Sequence, residues 1–412
     1  MNIKKISGEL ADPFRSLKNS VFARLYFAET ISLIGDAFTW VGLALLAYQF
    51  GRERSAVILA LALTLRVAAF IIFSPFAGVL ADKVDRKKIL YITHFFRMAI
   101  VACLPFINAE WQIYVLVFLL NVFNAFFTPT YHSVIPQVVN KDIYRQAVGL
   151  STATNQVFGI LGPGLAGIMA IWFGARQIFF VDAASFIIAG ILILTLPGSL
   201  MRRPAVSESK SKKLSTWQDI LKGARLLFGN KLIRFALSIE FVSAIAGAQI
   251  LVNTIGHVKS GLHLNDQHYG WVMAAFGIGA AIAAFVSGAI DKSRSRKTSL
   301  IIGALMLGLA ITGTNYVSFG MMLALWVVAG LGQSLAEIPS ETLIGENIPA
   351  AEQGKVYGSH FAFSHLWWAI AYPIAGFLGS RFPTTNFLYG GLMTISLLFI
   401  IYIFFQPPKR ES

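Results

Sequence analysis

The sequence predicts an all-α membrane protein of twelve transmembrane helices, arranged as two six-helix halves related by pseudo-two-fold symmetry. Three observations carry this. Charged residues make up only 13% of the chain and hydrophobic ones 56%, whereas soluble proteins are about 25% charged. Stretches of about twenty residues nearly free of charge recur from end to end, which is the pattern of bilayer-spanning helices. The second half of the chain also repeats features of the first at near-constant spacing.

Taken in order, the apolar segments place spans at 25–49, 56–80, 88–107, 111–136, 147–172, 175–196, 232–257, 268–290, 299–317, 320–345, 356–379 and 385–405. Residues 1–24 form a basic, polar segment on the cytoplasmic side, unlike a cleaved signal peptide. The first half then covers 25–196, a polar linker 197–230, the second half 231–405 and a short cytoplasmic tail 406–412. Within the linker, Trp217, Ile220, Leu221, Ala224, Leu227 and Phe228 recur at helical spacing opposite Gln218, Asp219, Lys222 and Arg225. This predicts an amphipathic helix lying on the bilayer surface.

The net charge of +14 is a topology signal and not a nucleic-acid footprint. Most of the 34 lysines and arginines fall on loops that share a side with the N-terminus, whereas the opposite loops hold Arg52, Arg54, Arg176, Lys259 and Arg381. The positive-inside rule puts both termini in the cytoplasm, with a bacterial inner membrane expected. The single cysteine, Cys103, allows no internal disulfide. No H-E-x-x-H, G-x-S-x-G or G-x-x-x-x-G-K-[ST] occurs, and no loop has room for a catalytic domain. The expectation is a non-enzyme without a cofactor, monomeric, whose partners are the lipid bilayer and a small molecule or metal ion.

A shift of 210 superposes Pro129 on Pro339, Arg145 on Lys355 and Pro163 on Pro373. A shift of 209 brings Asp82-Lys83 onto Asp291-Lys292, and one of 211 brings Glu29 onto Glu240. Duplicated halves of this kind place a substrate site between them near mid-membrane.

Between spans two and three stands Gly78-Val79-Leu80-Ala81-Asp82-Lys83-Val84-Asp85-Arg86-Lys87-Lys88. It resembles the G-x-L-A-D-R-x-G-R-K signature of the major facilitator superfamily, departing at Lys83 and Asp85. The second-half copy, Ser287 to Lys292 with Asp291, is degenerate. The resemblance implies a conformational latch formed by Gly78, Asp82, Arg86 and Asp291. In span five, Gly159, Gly162, Pro163, Gly164 and Gly167 resemble the family's antiporter signature. Such a ladder allows a kink and close packing against the other half; packing alone is the competing reading. The arginine that many proton antiporters carry in span four is absent. With Ile34-Gly35-Asp36, Arg97, Leu161 to Gly164 and the stretch His360 to Trp368, the chain is most similar to the branch containing macrolide, enterobactin and nickel-resistance exporters.

Ionisable residues at mid-membrane cost about 2.5–3.5 kcal/mol even on gentle scales, so each is a functional candidate. Asp36, Arg66 and Arg97 fall at mid-depth in spans one to three, and Asp36 and Arg66 are a candidate charge pair. Asp182 in span six is a candidate of the same kind, with a structural role favoured. Glu240 lies in span seven, and Glu337 and Glu341 share a face of span ten. His360 and His365 begin span eleven. For His360, His365, Glu337 and Glu341 three readings stand: proton carriage, a divalent nickel- or cobalt-type site, or structural hydrogen bonding. The family resemblance implies alternating access and export driven by inward proton movement, with the proton gradient as energy source. The cargo is an amphipathic organic solute of drug or siderophore type, or alternatively a divalent metal.

Overall fold

The computed structural model describes residues 13–198, 216–290 and 296–405. Its first six long helices are α1 (Ser20–Gly51), α2 (Ser55–Lys83), α3 (Arg86–Cys103), α4 (Glu110–Val138), α5 (Lys141–Phe173) and α6 (Ile178–Leu194). A linker helix, α7 (Thr216–Gly229), leads into α8 (Lys231–Gly256), α9 (Asp266–Ile290), α10 (Arg296–Thr312), α11 (Phe319–Asn347), α12 (Ala350–Arg381) and α13 (Asn386–Phe404). Twelve of these are long, as the hydropathy pattern predicts. Large apolar side chains such as Phe76, Trp172 and Phe399 are exposed on the outside, where lipid in place of water makes exposure favourable.

Helix ends depart from the predicted spans for one reason. Hydropathy sees only the apolar core of a helix, while hydrogen bonding continues into polar turns beyond it. Thus α5 starts at Lys141 and α12 at Ala350, several residues before their apolar stretches. Basic side chains brace the ends on the N-terminal side. Lys87 donates to the carbonyls of Leu194 (2.8 Å) and Leu196 (2.5 Å) past the C-terminus of α6, and Arg86 donates to the Ser133 carbonyl (3.0 Å) in the last turns of α4. Cations at helix C-termini satisfy leftover carbonyls and the helix dipole.

The internal repeat is visible in the caps. Asn19 opens α1 by accepting from the amides of Val21 and Phe22. Asn230 opens α8 in the same way, from Leu232 and Ile233. Pro129 and Pro339 sit inside α4 and α11, which are both 29 residues long.

The linker helix departs from expectation. Leu227 is fully buried in the second-half core, the Phe228 ring lies edge-on to Phe363 at 4.8 Å, and Lys222 pairs with Glu352 at 2.6 Å. Its apolar face therefore docks on α12 and α8, where it finds packed side chains and a counter-charge, instead of lying only on lipid.

The two halves meet along α5 with α9 and α2 with α12, and small residues make that contact. A Cβ on Gly167 would come within 2.4 Å of the Gly270 carbonyl, and one on Gly270 within 2.4 Å of the Gly167 carbonyl. A Cβ on Gly164 would lie 2.7 Å from Gly277 Cα. Across the other seam Gly376 faces Ala60 and Gly379 faces Ala56. Tyr48 and Ser260 hydrogen-bond between halves at 2.9 Å. All these contacts lie toward the end remote from the termini, so the halves are closed there backbone to backbone.

Gly270→Ala is expected to wedge this end apart. With Cys103→Ser and Met273→Cys in the same chain, a membrane-impermeant maleimide added on the remote side should label position 273 several-fold faster. Unchanged labelling would mean that the glycine crossing does not hold this end shut.

Candidate functional site

Beyond the closed end, between the halves, lies a cavity of about 340 Å³, within the range of small-molecule pockets. Its polar wall is set by α1, where Glu29, Ser32, Asp36 and Trp40 line it at helical spacing. Arg66 and Phe70 enter from α2, Arg97 from α3, Asn124 and Phe127 from α4, and Asn155 and Phe158 from α5. The second half contributes Leu251, Tyr269, Met273, Phe361 and His365.

Asp36 does not pair with Arg66. Arg97 Nη2 donates to Asp36 Oδ2 at 2.8 Å, with the arginine side chain 2% exposed. The guanidinium lies over the rings of Phe186 (4.1 Å) and Phe127 (5.2 Å), so aromatic faces from α6 and α4 complete its surroundings. Arg66 instead stacks on Trp40, with its guanidinium carbon 4.2 Å from the ring centre. Counting residues along helices gives depth but not direction around the axis, which is why the wrong arginine was the candidate partner.

Behind the pair sits Asp182, fully buried. It accepts from Thr39 and, at 3.1 Å, from Ser185. Gly35 makes this approach possible, since a Cβ there would fall 2.3 Å from Asp182 Oδ1. Glu29 is a cavity residue that sequence reasoning did not single out. It is 7% exposed, its Oε2 has no partner, and it lies within electrostatic range of Arg97 and hydrogen-bonding range of Asn155. Its match to Glu240 in the repeat was the only available signal. Arg97 is thus bonded to Asp36 and within electrostatic range of Glu29 and Asp182.

Among the described residues the second-half cluster does not assemble as one site. His360 Nε2 bonds Glu240 Oε1 at 2.7 Å in a buried pair. His365 lines the cavity between Phe361 (3.9 Å) and Phe70 (5.6 Å), with Nδ1 2.9 Å from the Phe361 carbonyl. Glu337 accepts from Gln333. Neither Glu240 nor Glu337 is among the described lining residues. Among the described residues no group of three or more His, Cys, Asp or Glu is placed to hold a metal. The offset of five between His360 and His365 points them to different neighbours. Of the remaining candidates, Asp291 and the side chains of Asp82, Pro163 and Glu341 lie outside the described residues, as does the packing about Gly78. Gly162 packs on Ala37 and Gly167 on α9, and α5 continues unbroken through the ladder.

The family model for the Major Facilitator Superfamily matches residues 25–255 and 237–412. The chain is 24% identical to the staphyloferrin A transporter of Staphylococcus aureus, over 77% of this chain and 80% of that one. It is 21% identical to macrolide efflux protein A of Streptococcus pyogenes, over 92% and 94%. A solved bacterial homolog of the human lysosomal transporter Spinster superposes with a TM-score of 0.71 at 15% identity, over 95% and 96%. The match along nearly the whole length, the two repeated halves and the cavity between them agree: this chain belongs to the Major Facilitator Superfamily and is a membrane transporter.

Proposed function

We propose that the protein is a proton-coupled efflux antiporter for a small amphipathic organic solute, working by alternating access from the cytoplasmic membrane with both termini in the cytoplasm. The carrying observation is that two buried carboxyls, Glu29 and Asp182, and the half-buried Asp36 lie within electrostatic range of the one guanidinium of Arg97, at the edge of a cavity between the halves. In an apolar medium each carboxyl needs a cation or a proton. Among the described residues Arg97 is ion-paired with Asp36 alone and Arg66 with no carboxylate, so protons complete the neutralisation of Glu29 and Asp182 and can be exchanged when the cavity changes sides. The closed glycine seam is then the periplasmic gate, and the cavity loads from the cytoplasm. The relatives that carry macrolides or staphyloferrin A in their names support an organic cargo, as do the aromatic walls. A divalent-metal cargo has less support, because His360 and His365 are engaged separately.

Uptake into everted vesicles, with a panel of dyes, siderophores and nickel or cobalt and with or without a protonophore, tests this directly. Protonophore-sensitive uptake of organic compounds is the expected result. Uptake confined to metal ions, or insensitive to the gradient, would overturn it.

Asp36→Asn and Glu29→Gln should each abolish gradient-driven accumulation while leaving downhill exchange measurable. Full accumulation in both variants would remove them from the coupling path.

The Gly78–Asp82–Arg86 loop is proposed to latch one conformation. Asp82→Asn should then slow turnover severalfold and leave equilibrium ligand affinity within about twofold. Normal turnover in that variant would rule the latch out.

A further inference from the structure

Arg66 is the cavity's uncommitted cation. Among the described residues it makes no ion pair or hydrogen bond, and its one close partner is the face of Trp40. The carboxylate expected beside it, Asp36, is taken by Arg97. A guanidinium remains charged at any physiological pH, and placed at mid-membrane it calls for an anion. A stacked guanidinium keeps its edge N–H groups free, and those form the fork that binds a carboxylate or similar anion bidentately. Around Arg66 the lining is flat and apolar: Trp40 on one side, and Phe70, Phe361 and the His365 ring, which touch one another across the two halves.

We propose that the cavity selects organic anions, with the anionic group on Arg66 and a planar apolar body against Trp40, Phe70, Phe361 and His365. This rests on the export reading and names its substrate class. Because Phe70 and Arg66 belong to the first half and Phe361 and His365 to the second, such a ligand touches both halves at once, and its charge replaces the missing counter-ion only while it is bound.

Two xanthene dyes of similar shape and opposite charge, fluorescein and rhodamine 123, separate charge from shape. Binding is read by fluorescence anisotropy on the full chain in lipid nanodiscs. The expected result is at least tenfold tighter binding of fluorescein. Arg66→Gln should erase that preference, Arg66→Lys should keep part of it, and Trp40→Ala should weaken binding of both dyes. Rhodamine 123 binding by the Arg66→Gln protein, together with its monodisperse elution, reports that it is folded. No saturable binding of either dye, equal affinity for both, or an equal loss of both in Arg66→Gln would overturn the assignment; the last outcome would make Arg66 an alternative partner for Asp36. Fluorescein uptake into everted vesicles keeps the two readings apart. Charge-selective binding without uptake sinks export and leaves the anion site. Protonophore-sensitive uptake with no charge preference does the reverse.

Discussion

The ion pair between Arg97 and Asp36 organises the first half. Charges this deep in an apolar phase are tolerated only when matched, and removing one partner of a buried pair costs about 3–5 kcal/mol. Four helices supply the match. The aspartate comes from α1 and the arginine from α3, while Phe186 of α6 and Phe127 of α4 cover the guanidinium. Gly35, one residue before Asp36, lets α6 approach until Asp182 and Ser185 stand against α1. The same pair forms part of the cavity wall, so the element that holds these helices together is also the one a moving proton or solute would perturb.

The second half keeps the scaffold and places no carboxylate in the described lining of the cavity. Asn230 repeats the cap of Asn19, and the prolines recur. At the spacing that relates Glu29 to Glu240, however, Asp36 corresponds to Gly247, whose missing side chain accommodates the Trp368 ring. Glu240 is hydrogen-bonded within its own half to His360. Ionic chemistry is thus concentrated on one side of the cavity, and the second half offers it mainly aromatic and apolar surface. A transporter built this way can carry its coupling groups in one half while the other provides a wall that rocks against them.

Movement of that kind requires an interface that closes tightly without interlocking. The crossings of α5 with α9 and α2 with α12 are built from Gly164, Gly167, Gly270, Gly277, Ala60, Gly376 and Gly379. In lipid no hydrophobic force drives helices together, so close backbone approach supplies the attraction. Smooth, small-residue surfaces also separate without pulling long side chains from pockets. The glycine ladder of α5 therefore has a mechanical use whether or not it also marks an antiporter.

The repeat, the twelve long helices and the closeness of α5 to the other half were all legible in the sequence, because they depend on local composition: apolar length, small residues at a regular spacing, and the lack of charge. The depth of Asp36, Arg66 and Arg97 was legible too, since depth is distance along a helix. Which charges meet was not. Asp36 turned out to face Arg97, Arg66 was left on Trp40, Glu29 emerged as a cavity carboxyl, and His360 and His365 parted to different neighbours. Pairing depends on rotation about each axis and on which helices become neighbours. Those follow from packing between segments a hundred or more residues apart, and only the folded bundle decides them.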